Sequence, residues 1–145
     1  AGSGPLDNDL RQFATDHGLP RVTFLPRPSD AEAVQLVGSA DIFAAPATGG
    51  ESFGLVLIEA MSAGAIPVAS ANEGYKTVLT GAGASLLVPP SDPEALADKV
   101  ISLANDPHQR NNLGAWAKTH AEKFDIARVG PDIVNAYMDA LQHDA

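Results

Sequence analysis

The chain has 145 residues, 45% hydrophobic and 19% charged, an ordinary composition for one soluble globular domain with one core. It contains no cysteine, which excludes a disulfide framework and any thiolate metal site, and its formal net charge of −9 repels the phosphates of nucleic acid at long range. No signal peptide is visible, and no apolar run reaches the ~18 residues that would span a bilayer.

In chain order, Ala1-Gly2-Ser3-Gly4-Pro5 reads as a glycine-rich turn, followed by a helix from about Leu6 to His17. A turn of this kind ordinarily follows a strand, so the chain is expected to begin inside a domain, as a fragment. Val22-Thr23-Phe24-Leu25 predicts a strand ended by Pro26 and Pro28. Ser29-Asp30 offers an N-cap for a helix to about Val37. Asp41–Ala45 is a second strand, stopped at Pro46, and Phe53–Ala63 a helix closed by Gly64. Ile66–Ala69 and Leu86–Val88 are the third and fourth strands. Asp92-Pro93 opens a helix to about Ala104, and Asp106-Pro107 another to about Phe124, with Asp92 and Asp106 as caps. The closing helix, about Ile126 to Leu141, carries Val129, Ile133, Tyr137 and Leu141 in an i, i+4 stripe.

Strands alternating with helices through short loops predict a parallel sheet covered by helices. Such sheets bind ligands beyond the carboxyl ends of their strands, here the loops after Leu25, Ala45 and Ala69. The densest signal lies in the second of these, Gly49-Gly50-Glu51-Ser52-Phe53-Gly54-Leu55-Val56-Leu57-Ile58-Glu59-Ala60-Met61-Ser62-Ala63-Gly64. Gly49 and Gly50 follow a strand end and let the backbone approach a ligand. The helix start exposes N–H groups and a partial positive charge, a ready site for a diphosphate. Glu59 has apolar neighbours nearly all round, which predicts a buried carboxylate that needs a partner. Eight residues of helix rise roughly 12 Å, enough for one nucleoside diphosphate sugar to span both carboxylates. The sugar would lie near Glu51, the diphosphate at the helix start and the ribose near Glu59, since carboxylates accept paired hydrogen bonds from vicinal hydroxyls.

At this string the chain resembles the family-four, GT-B-fold retaining glycosyltransferases, whose signature pair of glutamates matches Glu51 and Glu59. The likeness covers nearly the whole chain, from Gly2-Ser3-Gly4-Pro5 through Val22–Pro26, Ala40–Phe43 and Pro46 to Leu87-Val88-Pro89-Pro90 and the helix from Pro93. Gly-Gly-Glu-Ser-Phe-Gly with Glu-Ala-Met after it is especially similar to the phosphatidylinositol mannosyltransferases of actinobacteria, which use GDP-mannose. The resemblance implies an α/β, Rossmann-like, three-layer domain with a parallel sheet. This would be the C-terminal half of a GT-B fold, N-terminally truncated, with residues 1–145 as one partial nucleotide-sugar-binding domain. Glu51 would act on the hydroxyls of the transferred sugar as the catalytic-site carboxylate. Gly50, Ser52, Phe53, Gly54 and Leu55 would line the diphosphate and sugar, Glu59 would hold the ribose, and Gly4, Leu25, Pro26 and Arg27 would border the donor and its base. The family works without a bound metal or other cofactor; its donor is the nucleotide sugar. Its acceptor, a glycan or lipid, meets the other domain, which this sequence lacks together with the basic pair that neutralises the diphosphate. The resemblance thus implies a cytoplasmic protein, with membrane contact at the inner face through the parent alone, and an isolated chain that binds nucleotide weakly and transfers no sugar.

Two departures bear on the donor. The family's glutamate after the third strand is replaced by Thr77 within Asn72-Glu73-Gly74-Tyr75-Lys76-Thr77, and its late glycine is replaced near Ser85. A UDP-sugar-dependent enzyme of the same family and a non-catalytic nucleotide-binding or interaction module therefore stand beside the GDP-mannose reading. Gly2-Ser3-Gly4-Pro5 lacks the third glycine of a dinucleotide-binding fingerprint, which argues against an oxidoreductase. Elsewhere, His17, His108, His120 and His143 show no metal-ligand spacing and are expected at the surface or at helix ends. Trp116 is expected as a core anchor, Lys76 in solvent, and Arg27 as a cation facing the crevice.

Overall fold

The computed structural model describes residues 1–143, without the side chains of Gln142 and His143, so the expectation for His143 falls outside the described part. The chain forms two compact units, Ala1–Leu36 and a second from Val37 onward.

The first unit holds helix α1 (Asp7–Asp16) and most of α2 (Asp30–Gly38). Asp7 and Asp9 lie in the first turn of α1, where carboxylates suit the helix dipole, and Asp7 pairs with Arg11 at 3.2 Å. Ser29 and Glu32 form a reciprocal capping box at the start of α2. Glu32 Oε2 accepts from the Ser29 N–H at 2.8 Å and from its hydroxyl at 2.7 Å, while Ser29 Oγ accepts from the Glu32 N–H at 3.3 Å. Those two bonds hold the Glu32 carboxyl below its ordinary pKa of 4.5. The strand expected over Val22–Leu25 does not form. A strand needs a ladder on a neighbouring backbone; here the Gly2 N–H donates to the Leu25 carbonyl at 2.8 Å, and Pro26 and Pro28 have no N–H to extend the pairing.

The second unit is built on three parallel strands in the order β1 (Ile42–Ala45), β2 (Ile66–Ser70), β3 (Leu87–Val88). Every residue of β2 is buried, as expected for a strand enclosed on both faces. Pro67 is tolerated within it because β3 pairs only from Ala69 onward, leaving one side of β2 free at Pro67. Helix α3 (Leu55–Ala63) crosses from β1 to β2 and buries Leu57, Ala60 and Met61, an i, i+3, i+4 face. It starts two residues later than the sequence suggests, because Gly54 has φ 108°, a left-handed conformation outside the helix. Its end matches expectation. Gly64 has φ 97°, its N–H donates to the Met61 carbonyl at 3.1 Å, and the Ala65 N–H donates to Ala60 at 2.9 Å, a Schellman arrangement.

Two short elements without a clear periodic signal follow β2: α4 (Glu73–Val78) and a 3₁₀ segment, Gly81–Leu86. Helices α5 (Pro93–Asn105) and α6 (Pro107–Ala121) start as predicted. Asp92 accepts from the Ala95 N–H at 2.9 Å and Asp106 from the Gln109 N–H at 2.8 Å. Helix α6 stops at Ala121, and Glu122–Phe124 is a 3₁₀ turn rather than its last turn. Helices α3, α5 and α6 pack on β2, and α6 touches both of the others. Between them lies a core of Leu57, Met61, Val68, Val78, Leu86 and Leu103. The result is an open parallel α/β sheet with flanking helices, a Rossmann-like arrangement. The last helix, α7 (Ile126–His143), keeps most of its stripe in solvent: Ile133, Tyr137 and Leu141 are 48%, 72% and 70% exposed.

Candidate functional site

The Glu51 motif occupies the loop between β1 and α3, at the carboxyl end of the sheet, where open parallel sheets place their ligands. Gly50 and Gly54 both have positive φ, 80° and 108°, so the loop follows a path that favours glycine at both positions. No side chain caps α3. The Leu57 N–H is taken by the Gly54 carbonyl at 3.0 Å, which leaves Leu55 and Val56 as the first-turn donors facing out of the helix start. These donors, with Ser52 exposed just before them, are what a phosphate oxygen would meet.

Helix α4 supports this loop from below. Asn72, 6% exposed, uses both halves of its amide: Oδ1 accepts from the Tyr75 N–H at 2.9 Å, capping α4, while Nδ2 donates to the Ala47 carbonyl at 2.9 Å. Gly74 lies so close to the loop that a Cβ there would overlap the Glu51 carbonyl and come within 2.8 Å of the Phe53 nitrogen. The buried Tyr75 ring lies against Gly54, where an added Cβ would stand 2.6 Å from Cδ1. Burial pushes the Tyr75 hydroxyl above its ordinary pKa of 10.0, with the neighbouring charge of Glu51 and the hydrogen bond it offers as lesser causes. A second support comes through Phe53. Its ring meets Phe124 edge to face at 5.8 Å, Phe124 meets His120 at 5.6 Å, and His120 stacks on Trp116 at 4.6 Å.

The two glutamates fare differently. Glu51 is half-buried beside Tyr75. Glu59 is exposed and has no hydrogen bond or ion pair among the described residues, which corrects the expectation of a buried, partnered carboxylate. At 3.6 residues per turn it lies about 200° round α3 from Leu57, away from the buried face. Because α3 begins at Leu55, only the segment from there to Glu59 is helical, and the rest of the span between the carboxylates is loop.

Gly4, Leu25, Pro26 and Arg27 belong to the first unit, where the glycine-rich turn and the Leu25–Arg27 segment come together. Besides the Gly2–Leu25 bond, Arg27 Nε donates to Ser3 Oγ at 3.0 Å, and Arg27 itself is strained at φ 43° and exposed. An open groove of about 570 Å3 in this unit is lined by Arg11, Leu19, Val22 and Phe24 among others; no motif residue lines it.

Of the remaining expectations, Lys76 is exposed and pairs with Glu73 at 2.8 Å, while Trp116 is half-buried against the core. Thr77 donates its hydroxyl to the Gly74 carbonyl at 2.6 Å, so the residue replacing the family glutamate closes a bond within its own helix. Ser85 does likewise to Ala82 at 2.8 Å. His120 is not a surface residue: it is 5% exposed. Its Nε2 donates to the Val78 carbonyl at 2.8 Å, and Nδ1, left as acceptor, faces Lys123 Nζ at 3.3 Å. The aromatic stack just described replaces the water an exposed helix-end histidine would have. Asn72, Gly74 and Tyr75 were missed as site residues. A signal for one of them was present, since Asn72 before Glu73, just after a buried strand, is a good N-cap at the sheet's carboxyl end. Among the described residues, no group of three His, Asp or Glu is placed to hold a metal ion.

The family described as glycosyl transferases group 1 matches residues 1–120, and the chain belongs to that family. It is 35% identical over 131 residues to a phosphatidyl-myo-inositol mannosyltransferase of Mycolicibacterium smegmatis, covering 90% of this chain and 34% of that protein. It is 33% identical over 143 residues to a D-inositol 3-phosphate glycosyltransferase of Saccharomonospora viridis, covering 97% and 33%. The chain thus spans about a third of the length of the curated relatives it matches. Among solved structures, Anabaena HepE in complex with UDP-glucose superposes with a TM-score of 0.82 at 27% identity, over 95% of this chain and 39% of that one. Sucrose-phosphate synthase from Thermosynechococcus elongatus gives 0.82 at 28% identity, over 99% and 38%.

Proposed function

We propose that this chain binds the donor, GDP-mannose, for a retaining transfer of mannose to a lipid or glycan acceptor. The observation that carries the reading is the loop before α3, where Glu51 is half-buried beside Tyr75 and the uncapped helix start offers its N–H groups. Glu51 takes the hexose hydroxyls, Ser52 to Leu55 the diphosphate and sugar, and Glu59 the ribose hydroxyls, for which it is free, having no partner among the described residues. Identity to the phosphatidyl-myo-inositol mannosyltransferases supports mannose and a lipid acceptor, and the family resemblance supports action at the cytoplasmic face of a membrane. Among the described residues, no helix is long and apolar enough to cross that membrane. The family resemblance supports a site without a bound metal, so nucleotide binding by this chain is expected to survive a chelator unchanged; loss of binding in EDTA would refute that part.

Calorimetric titration of the protein with GDP, UDP and ADP tests the donor. Binding of GDP in preference to the others is expected, and binding of none would overturn the reading in favour of a non-catalytic module. A second reading, a UDP-sugar donor, is favoured by one observation, the superposition on HepE in complex with UDP-glucose. Preference for UDP in the same titration would decide for it.

A further inference from the structure

The donor loop has its shape imposed on it by a neighbouring element. Four contacts converge from the first turn of α4. Asn72 Nδ2 reaches the Ala47 carbonyl at 2.9 Å, near the start of the loop. Gly74 lies against the Glu51 backbone and the Phe53 nitrogen, at its middle. The Tyr75 ring fills the space beside Gly54, at its end. The fourth contact ties these together: Asn72 Oδ1 accepts from the Tyr75 N–H at 2.9 Å, so one buried amide fixes both the loop and the helix that supports it.

The geometry points to Asn72 as a positioning residue for the donor site, pinning the loop through the Ala47 carbonyl so that Glu51 meets the transferred sugar. The inference rests on Glu51 as the sugar-binding carboxylate. Asparagine suits the place because the task needs one acceptor and one donor on a short, stiff side chain, and an amide has both. Aspartate and serine are good caps but lack the donor directed at Ala47. A part-buried carbonyl such as that of Ala47, left without its donor, would draw the loop start out of place to find another.

That asymmetry gives the test. Asn72→Asp and Asn72→Ser retain the cap on Tyr75 and remove the bond to Ala47; serine also controls for the charge that aspartate adds. Affinities for GDP-mannose and for GDP are measured by calorimetry in the full chain, with Glu51→Gln alongside and thermal melting as the check on folding. Both Asn72 variants are expected to fold with melting lowered by several degrees, aspartate more than serine, and to lose about fivefold in GDP-mannose affinity relative to GDP, on the scale of one hydrogen bond. Equal losses for both ligands, or an unchanged ratio, would overturn the positioning role. Should either variant not fold, the other decides on the same ratio. Should neither fold, Asn72 is structural and the inference fails. Glu51→Gln separates the two claims. If it leaves the ratio unchanged while the Asn72 variants lower it, the pin stands and the sugar role of Glu51 falls. If it lowers the ratio and they do not, the reverse holds.

Discussion

The two ends of the Glu51–Glu59 motif are held by opposite means. At the Glu51 end the protein supplies the surroundings: Asn72, Gly74 and Tyr75 from α4 and Phe124 beyond Phe53 press on the loop from two sides. At the Glu59 end it supplies almost nothing, since the carboxylate stands exposed on α3 with no partner among the described residues. A group that must discriminate among similar hexose hydroxyls gains from a fixed geometry, because the ordering cost is met before the ligand arrives. In the proposed reading Glu59 only takes a ribose diol, which needs less.

The contrast breaks most visibly at Gly54. Replacing it by alanine puts a Cβ at φ 108° and 2.6 Å from the Tyr75 ring, on the buried side of the loop. Overpacking of this kind costs about 1–3 kcal/mol, with roughly another 1 kcal/mol for the left-handed backbone. Urea unfolding of Gly54→Ala is therefore expected to show a loss of about 2–4 kcal/mol. A stability equal to the parent would mean that the loop is not packed against α4 as described.

The glutamates come next. Glu59→Gln is expected to change folding stability by no more than about 0.5 kcal/mol, as for a surface position, while weakening GDP binding by about 1–3 kcal/mol for a lost charged hydrogen bond. Glu51→Gln should spare GDP and reduce GDP-mannose affinity. Calorimetry on both variants checks this, and unchanged GDP affinity in Glu59→Gln would assign that residue no part in the site. Equal losses for GDP and GDP-mannose in Glu51→Gln would refute the division of roles.

The same difference explains what was legible in the sequence. Helix ends were read well where a short side chain or glycine controls them. Asp92, Asp106 and Gly64 each set a boundary through a local hydrogen bond or a positive φ. The motif itself was legible for the same reason, being a local run of glycines and carboxylates. What failed depended on partners far along the chain. Val22–Leu25 has strand composition but makes only two isolated backbone bonds among the described residues, Val22 N–H to the Leu19 carbonyl and Gly2 N–H to the Leu25 carbonyl, and no ladder. Glu59 was judged by its neighbours in sequence, yet the face of α3 that is buried is set by the sheet. The sequence places His120 at the surface because nothing local shows that Val78, 42 positions earlier, offers its carbonyl. Asn72 was passed over likewise, its partner Ala47 lying 25 positions away.

The smallest effect expected is a titration that only one end of the motif should feel. Burial, then the charge of Glu51, then its hydrogen bond raise the Tyr75 hydroxyl above 10.0. The folded state therefore keeps that proton more tightly than the unfolded chain does. As pH rises past about 10 the unfolded chain releases the proton first, so the contribution of Tyr75 to stability is full below that pH and is lost as pH climbs through the raised value. Denaturant unfolding between pH 8 and pH 11 should show this alkaline decline in the parent, and Tyr75→Phe should flatten it (pH range chosen to bracket the tyrosine value of about 10). Glu51→Gln should shallow the decline only in part, since burial is the larger cause, and Glu59→Gln should leave it as it was. A decline that responds equally to both glutamates would mean that Tyr75 does not distinguish them, and the asymmetry between the two ends of the motif would lose its electrostatic half.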